Sequence, residues 1–180
     1  MKFAGRLFYI VIHSTDRQDN HNVSRMNTET ILIADPDDDS RKVITDFLKK
    51  EGYGIIDARD GETALSIAKK QSVDVLITDL KLPRLDGIAL LKKIKTDSPE
   101  LAVLVVTGNA SVSTAVKAMK LGADDFLTKP VNTEELKYLL QAILVKQAVH
   151  RRSPAAKEEA AGFENIIGTS DVMQKVFQLI

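Results

Sequence analysis

Four polar residues stand directly behind short apolar runs in this 180-residue chain. Asp35 follows Ile31–Ala34, Asp79 follows Val73–Thr78, Thr107 ends Ala102–Thr107, and Lys129 follows Asp125–Leu127. Singly, each has an ordinary structural reading: a turn acid, a β-branched strand residue, a solvated loop lysine. Asp37 to Asp39 would suit a helix N-terminus on macrodipole grounds alone. Together the four describe phosphoryl transfer to a carboxylate. An ionised Asp can attack phosphorus and form an acyl phosphate without a general base. A hard divalent cation held by carboxylates lowers the repulsion. A lysine and a hydroxyl can then hold the phosphoryl oxygens.

The elements that would position them are legible as a pattern. Five apolar runs, the four above and Gly54–Ala58, alternate with stretches of helical spacing. Those stretches carry the stripes Val43, Ile44, Phe47, Leu48; Ala64, Leu65, Ala68; Ile88, Leu90, Leu91, Ile94; Val112, Val116, Met119; and Leu136, Leu139, Leu140, Ile143, Leu144. Runs that are apolar throughout suit strands covered on both faces. Asp60 and Asp86 are predicted to cap the second and third helices. Gly122 falls just past the fourth, and Asn132 with Glu135 resembles a capping box for the fifth. Strand then helix, five times over, predicts an α/β fold with a doubly wound five-stranded parallel sheet; about 120 residues is too few for a barrel. In such a sheet the site lies beyond the C-terminal strand ends, at the switch point.

Composition narrows the function classes. Lys+Arg is 25 and Asp+Glu is 25, so the net charge of zero offers no broad basic face for nucleic acid and no polybasic anchor for membrane. There is no Cys, which excludes thiolate metal sites, Cys nucleophiles and disulfides. His13, His21 and His150 lie outside the predicted domain, so core His catalysis is not expected. No apolar run reaches a membrane span of roughly 18 residues, and the expected setting is cytoplasmic. Residues 1–29 read as a disordered or extended tail, with Met26 a natural start. The domain is expected over 30–147 and a linker over 148–162. The chain holds no phosphate-binding loop GxxxxGK[ST].

The stretches ILIADPDDDSRK, DVLITDLKLPRLDG, VLVVTG and GADDFLTKP resemble the receiver domains of bacterial two-component response regulators. That resemblance implies the sheet order 2-1-3-4-5, Asp79 as phosphoacceptor, and a sensor histidine kinase as partner. It implies Mg2+ held by Asp35, Asp79 and the backbone carbonyl of Lys81. It further implies that Thr107 and Lys129 hold the phosphoryl group, that Phe126 changes rotamer with Thr107, and that the Lys129–Pro130 bond is cis. A homodimer belongs to the same expectation, and direct nucleic-acid binding by this chain does not. Residues 163–180, with IIGTSDVMQKVF, resemble the opening of the AAA+ module of sigma-54-dependent activators and would be the stub of that module.

One departure stands out. The family usually carries two adjacent acids after the first strand, and here the second position is Pro36. Mg2+ affinity is therefore expected to be weakened, with Asp37 the candidate to compensate. Two rival readings follow: a pseudo-receiver that works by protein contact alone, and an Asp-nucleophile phosphohydrolase. Lys81 argues against the second, because such enzymes commonly place an acid there.

Overall fold

The computed structural model describes residues 29–152. Elements alternate along the chain as β1 Thr30–Ala34, α1 Asp38–Lys50, β2 Gly54–Ala58, α2 Gly61–Lys70, β3 Val75–Thr78, α3 Gly87–Asp97, β4 Ala102–Thr107, α4 Val112–Lys120, β5 Asp125–Thr128 and α5 Thr133–Arg152. The strands form one parallel sheet in the order β2-β1-β3-β4-β5, as the resemblance implied. All of the expected tail 1–29 but its last residue, most of the linker and the stub 163–180 lie outside the described residues. No helix among those residues is long and apolar enough to cross a membrane.

Alternation along each strand builds two cores. Leu32, Leu76, Val103, Val105 and Phe126 face α2, α3 and α4, where Ala64, Leu90, Leu91, Ile94, Ala115 and Ala118 are buried against them. Ile31, Ile33, Val75, Ile77, Leu104, Val106 and Leu127 face α1 and α5, meeting Ile44, Leu48, Leu136, Leu139, Leu140 and Ile143. Each fully buried side chain of this size contributes roughly 1.5–3 kcal/mol of transfer free energy. Both faces of every central strand are thus covered, which is why β3 and β4 read as continuous apolar runs.

Helix boundaries follow from side-chain caps. Asp60 accepts from Thr63 N in α2 and Asp86 from Ala89 N in α3, and Asn132 Oδ1 accepts from Glu134 N and Glu135 N in α5. Gly122, at φ +95°, ends α4 in the left-handed region that an L side chain rarely adopts. Strand limits differ from expectation by one or two residues. β3 starts at Val75 rather than Val73, because its ladder with β1 begins at the Ile31–Val75 pair. β5 extends to Thr128, which pairs with Thr107.

Candidate functional site

The C-terminal ends of β1, β3, β4 and β5 meet at one crevice. Asp35 is fixed through its backbone, with its N–H donating to Ala58 O at 3.1 Å and its carbonyl accepting from Arg41 Nη1 at 2.6 Å. The residue is 2% exposed and its carboxylate is well supplied with donors. Oδ1 accepts from Asp37 N at 2.9 Å, and Oδ2 accepts from Ser40 Oγ at 2.8 Å. The same Oδ2 lies 2.6 Å from Lys129 Nζ.

Asp79 is the mirror of this arrangement on β3. Its N–H donates to Ala34 O at 2.8 Å, and Oδ1 accepts from Lys81 N at 3.0 Å. Oδ2 accepts from Lys129 Nζ at 2.7 Å. One ammonium therefore joins two carboxylates. Burial alone would depress the Lys129 pKa, but the hydrogen bonds and charges of Asp35 and Asp79 outweigh it and hold the pKa above the ordinary lysine value. The Lys129–Pro130 bond is cis, as expected, and Lys129 N donates to Thr107 O at 3.0 Å.

Thr107 is fully buried. Its Oγ1 accepts from Asn109 N at 3.3 Å, so it meets the Asp35–Lys129–Asp79 group through its carbonyl. Phe126 is fully buried on the α4 side of the sheet, where it pairs in register with Val105. Asp37 turns its carboxylate to the start of α1: Oδ1 accepts from Asp39 N at 2.9 Å and Ser40 N at 3.2 Å. It is thus the N-cap of that helix. Pro36 occupies the turn between Asp35 and Asp37, where the missing N–H is not needed.

The loop after Asp79 is held from below and from the side. A Cβ on Gly87 would stand 2.1 Å from Asp79 O and 2.6 Å from Leu80 Cα, so only glycine lets α3 begin there. Arg84, at φ 65°, places its guanidinium on Asp60, the cap of α2. Burial raises the Asp60 pKa, yet the Thr63 amide, the Arg84 guanidinium and the Thr63 hydroxyl outweigh this and hold it below the usual carboxylate value.

Two carboxylates at one crevice are hard oxygen donors of the kind Mg2+ takes, since that ion keeps several waters and needs only one or two acids. The donor set fits the ion, though sparely. Among the described residues no group of three or more His, Cys, Asp or Glu side chains offers a fuller one.

Sequence reasoning missed Ser40, Arg41 and the Arg84–Asp60 pair. Ser40 lies five residues beyond Asp35, and its type carries no signal of direction. Arg41 is 7% exposed and also reaches Asp57 on β2 at 3.4 Å. A cation inside an apolar stripe was the one available hint.

The response regulator receiver domain profile matches residues 31–141. The transcriptional regulatory protein ZraR of Escherichia coli is 36% identical over 152 residues, covering 83% of this chain and 34% of ZraR. A cyclic di-GMP phosphodiesterase of Thermotoga maritima is 36% identical over 121 residues, 67% of this chain and 32% of that protein. The chain thus spans about a third of the length of these relatives. Among solved structures, a CheY-like receiver domain protein of Methanospirillum hungatei superposes with TM-score 0.66 at 29% identity, covering 69% of this chain and 99% of its own. A receiver domain protein of Clostridium thermocellum gives 0.63 at 30% identity over 67% and 98%.

Proposed function

This chain belongs to the response regulator receiver domain family, and from that premise we propose that Asp79 accepts a phosphoryl group from a sensor histidine kinase. An Asp79 oxygen forms a bond to phosphorus as the bond from phosphorus to the donor histidine nitrogen breaks. That nitrogen keeps the electron pair and the product is an acyl phosphate. Lys129 follows the charge onto a phosphoryl oxygen, and Thr107 turns its hydroxyl towards another. The space Thr107 vacates is available to Phe126, which alters the α4–β5–α5 face. The observation that carries this reading is Lys129 Nζ between the two carboxylates, at 2.6 Å and 2.7 Å.

Receiver domains generally bind Mg2+ at this acidic site. Asp35, Asp79 and the Lys81 carbonyl are the groups that would hold it here, and its charge offsets the repulsion between phosphoryl and carboxylate oxygens. We propose that binding is weaker than in a two-acid pocket. Pro36 supplies no charge, and the Asp37 carboxylate is committed to capping α1.

The output is proposed to be transcriptional and cytoplasmic, with this chain the N-terminal part of a sigma-54-dependent activator. The similarity to ZraR supports this, because it spans 152 residues and so runs beyond the matched 31–141 stretch. A homodimer would use α5, whose Tyr138, Val145 and Val149 are exposed. The test is labelling by acetyl phosphate with and without Mg2+, read by mass. One added phosphate, lost in Asp79→Asn, is expected. Labelling of Asp79→Asn at the wild-type rate would sink the assignment. Pro36 favours a second reading, a pseudo-receiver, which a wild-type chain that takes no label would establish. Steady turnover of a chromogenic phosphate ester would instead indicate a phosphohydrolase.

A further inference from the structure

Ser40 has no duty in its own helix. Its N–H is bonded by Asp37 Oδ1, so the cap of α1 is complete without the hydroxyl. That hydroxyl instead points back across the turn and donates to Asp35 Oδ2 at 2.8 Å. The oxygen it meets is the one that Lys129 Nζ approaches at 2.6 Å. Asp35 is 2% exposed, so water cannot readily replace a lost donor, and a buried carboxylate short of partners is costly.

Phosphorylation changes what Lys129 prefers. Once an Asp79 oxygen is esterified, its negative charge moves out onto the phosphoryl oxygens, and the ammonium follows that charge. Asp35 Oδ2 then loses its closest cation. Pro36 beside it brings no acid to this turn, and the Asp37 carboxylate is turned to the start of α1. Asp35 keeps Asp37 N on Oδ1 and Ser40 Oγ on Oδ2.

We propose that Ser40 is a positioning residue of this crevice, whose hydroxyl holds Asp35 so that Lys129 can pass to the phosphoryl group without stranding a buried carboxylate. The inference rests on Asp79 being the acceptor. Without the hydroxyl, Asp35 keeps a tighter hold on Lys129 and the ammonium is less available to the transition state.

Labelling rates with acetyl phosphate test this in the full chain, in wild type, Ser40→Ala, Ser40→Thr and both substitutions combined with Lys129→Ala. Ser40→Ala is expected to label about tenfold more slowly, in line with the loss of one hydrogen bond to a charged group. It should also unfold somewhat earlier than wild type, since a hydrogen bond to a buried carboxylate is lost and the helix-propensity gain from Ser to Ala is smaller. Ser40→Thr, which keeps the hydroxyl, should restore the rate to within about threefold. In the Lys129→Ala background the cost of losing the hydroxyl should largely vanish, because there is no ammonium to hand over. A merely structural role would give the same fold-loss in both backgrounds, and that result overturns the proposal. So does a wild-type rate for Ser40→Ala. A wild-type chain that takes no label overturns the acceptor reading itself, and the role of Ser40 with it, which separates the two failures.

Discussion

Both ends of the parallel sheet are tied by acid–lysine pairs, and the two ends count their charges differently. At the N-terminal end, Asp124 Oδ2 accepts from Lys95 Nζ at 3.0 Å and from Val103 N at 2.9 Å. Lys146 Nζ lies 3.8 Å from its other oxygen, and Lys95 also donates to Leu101 O. One acid there meets two cations and a backbone amide. At the C-terminal end, two acids meet one cation. The first arrangement is closed, and its polar atoms fasten the starts of β4 and β5 together. The second carries surplus negative charge at an open crevice, which suits the cation and phosphoryl group proposed for it. Equal chemistry at two ends of one sheet thus yields a joint in one place and, in the other, the crevice where we propose that phosphoryl transfer takes place.

That contrast can be broken by substitution. The largest effect is expected for Asp79→Asn, which should lower labelling by acetyl phosphate at least about 100-fold, since the nucleophile is removed. Its melting temperature should stay close to wild type. If Asp79→Asn instead unfolds the domain, the crevice is a structural joint like the other end. Next comes Asp124→Ala, which strips Val103 N and Lys95 of an acceptor and should cost about 2 kcal/mol, about 30-fold in the folding equilibrium. Denaturant titration measures the loss, while the labelling rate of the folded protein should be unchanged.

Pro36→Asp should sharpen the difference by adding a third acid to the crevice. Mg2+ affinity, read by calorimetry with the metal alone, should rise about tenfold, equivalent to about 1.4 kcal/mol. Unchanged affinity would show that the crevice does not lack the ligand charge we ascribe to Pro36. The smallest effect concerns pH. The folded-state pKa of Lys129 is raised. Its pairing therefore stabilises the fold fully below the unfolded lysine value of about 10.4, and that contribution is lost as pH rises through the folded value. Denaturant titrations at about pH 8 and about pH 11 should show this alkaline loss reduced in Lys129→Met. An identical loss in wild type and variant would assign it to other groups.

Legibility in the sequence followed the range of the interaction. The strands Gly54–Ala58 and Ala102–Thr107 were readable to the residue: β4 is buried throughout and writes an unbroken apolar run, whereas β2 is a half-exposed edge strand marked by Gly54 and the pair Ile55 and Ile56. The caps Asp60, Asp86 and Asn132 were readable because a cap bonds within three residues of itself. Asp35, Asp79, Thr107 and Lys129 stood out because a parallel sheet aligns all its C-terminal ends, and the same rule brings three of them into contact. What escaped was pairing between separate elements. Arg84 finds Asp60 and Lys95 finds Asp124 only after α2, α3 and β5 have docked, and no local pattern marks the partners. Ser40 escaped for another reason: a serine in a first helical turn has an ordinary use as a polar surface residue, and only coordinates reveal which way its hydroxyl turns.

The strand order has a bearing on how the chain assembles as it is synthesised. β1 is made first and lies inside the sheet, with β2 on one side and β3 on the other. β4 then adds beside β3, and β5 beside β4. Every strand leaving the ribosome after the first therefore meets an edge that already exists, and none must wait for a partner encoded further along. Growth outward from a finished centre shortens the time any unpaired edge is exposed, which is the interval in which parallel sheets are most prone to aggregate.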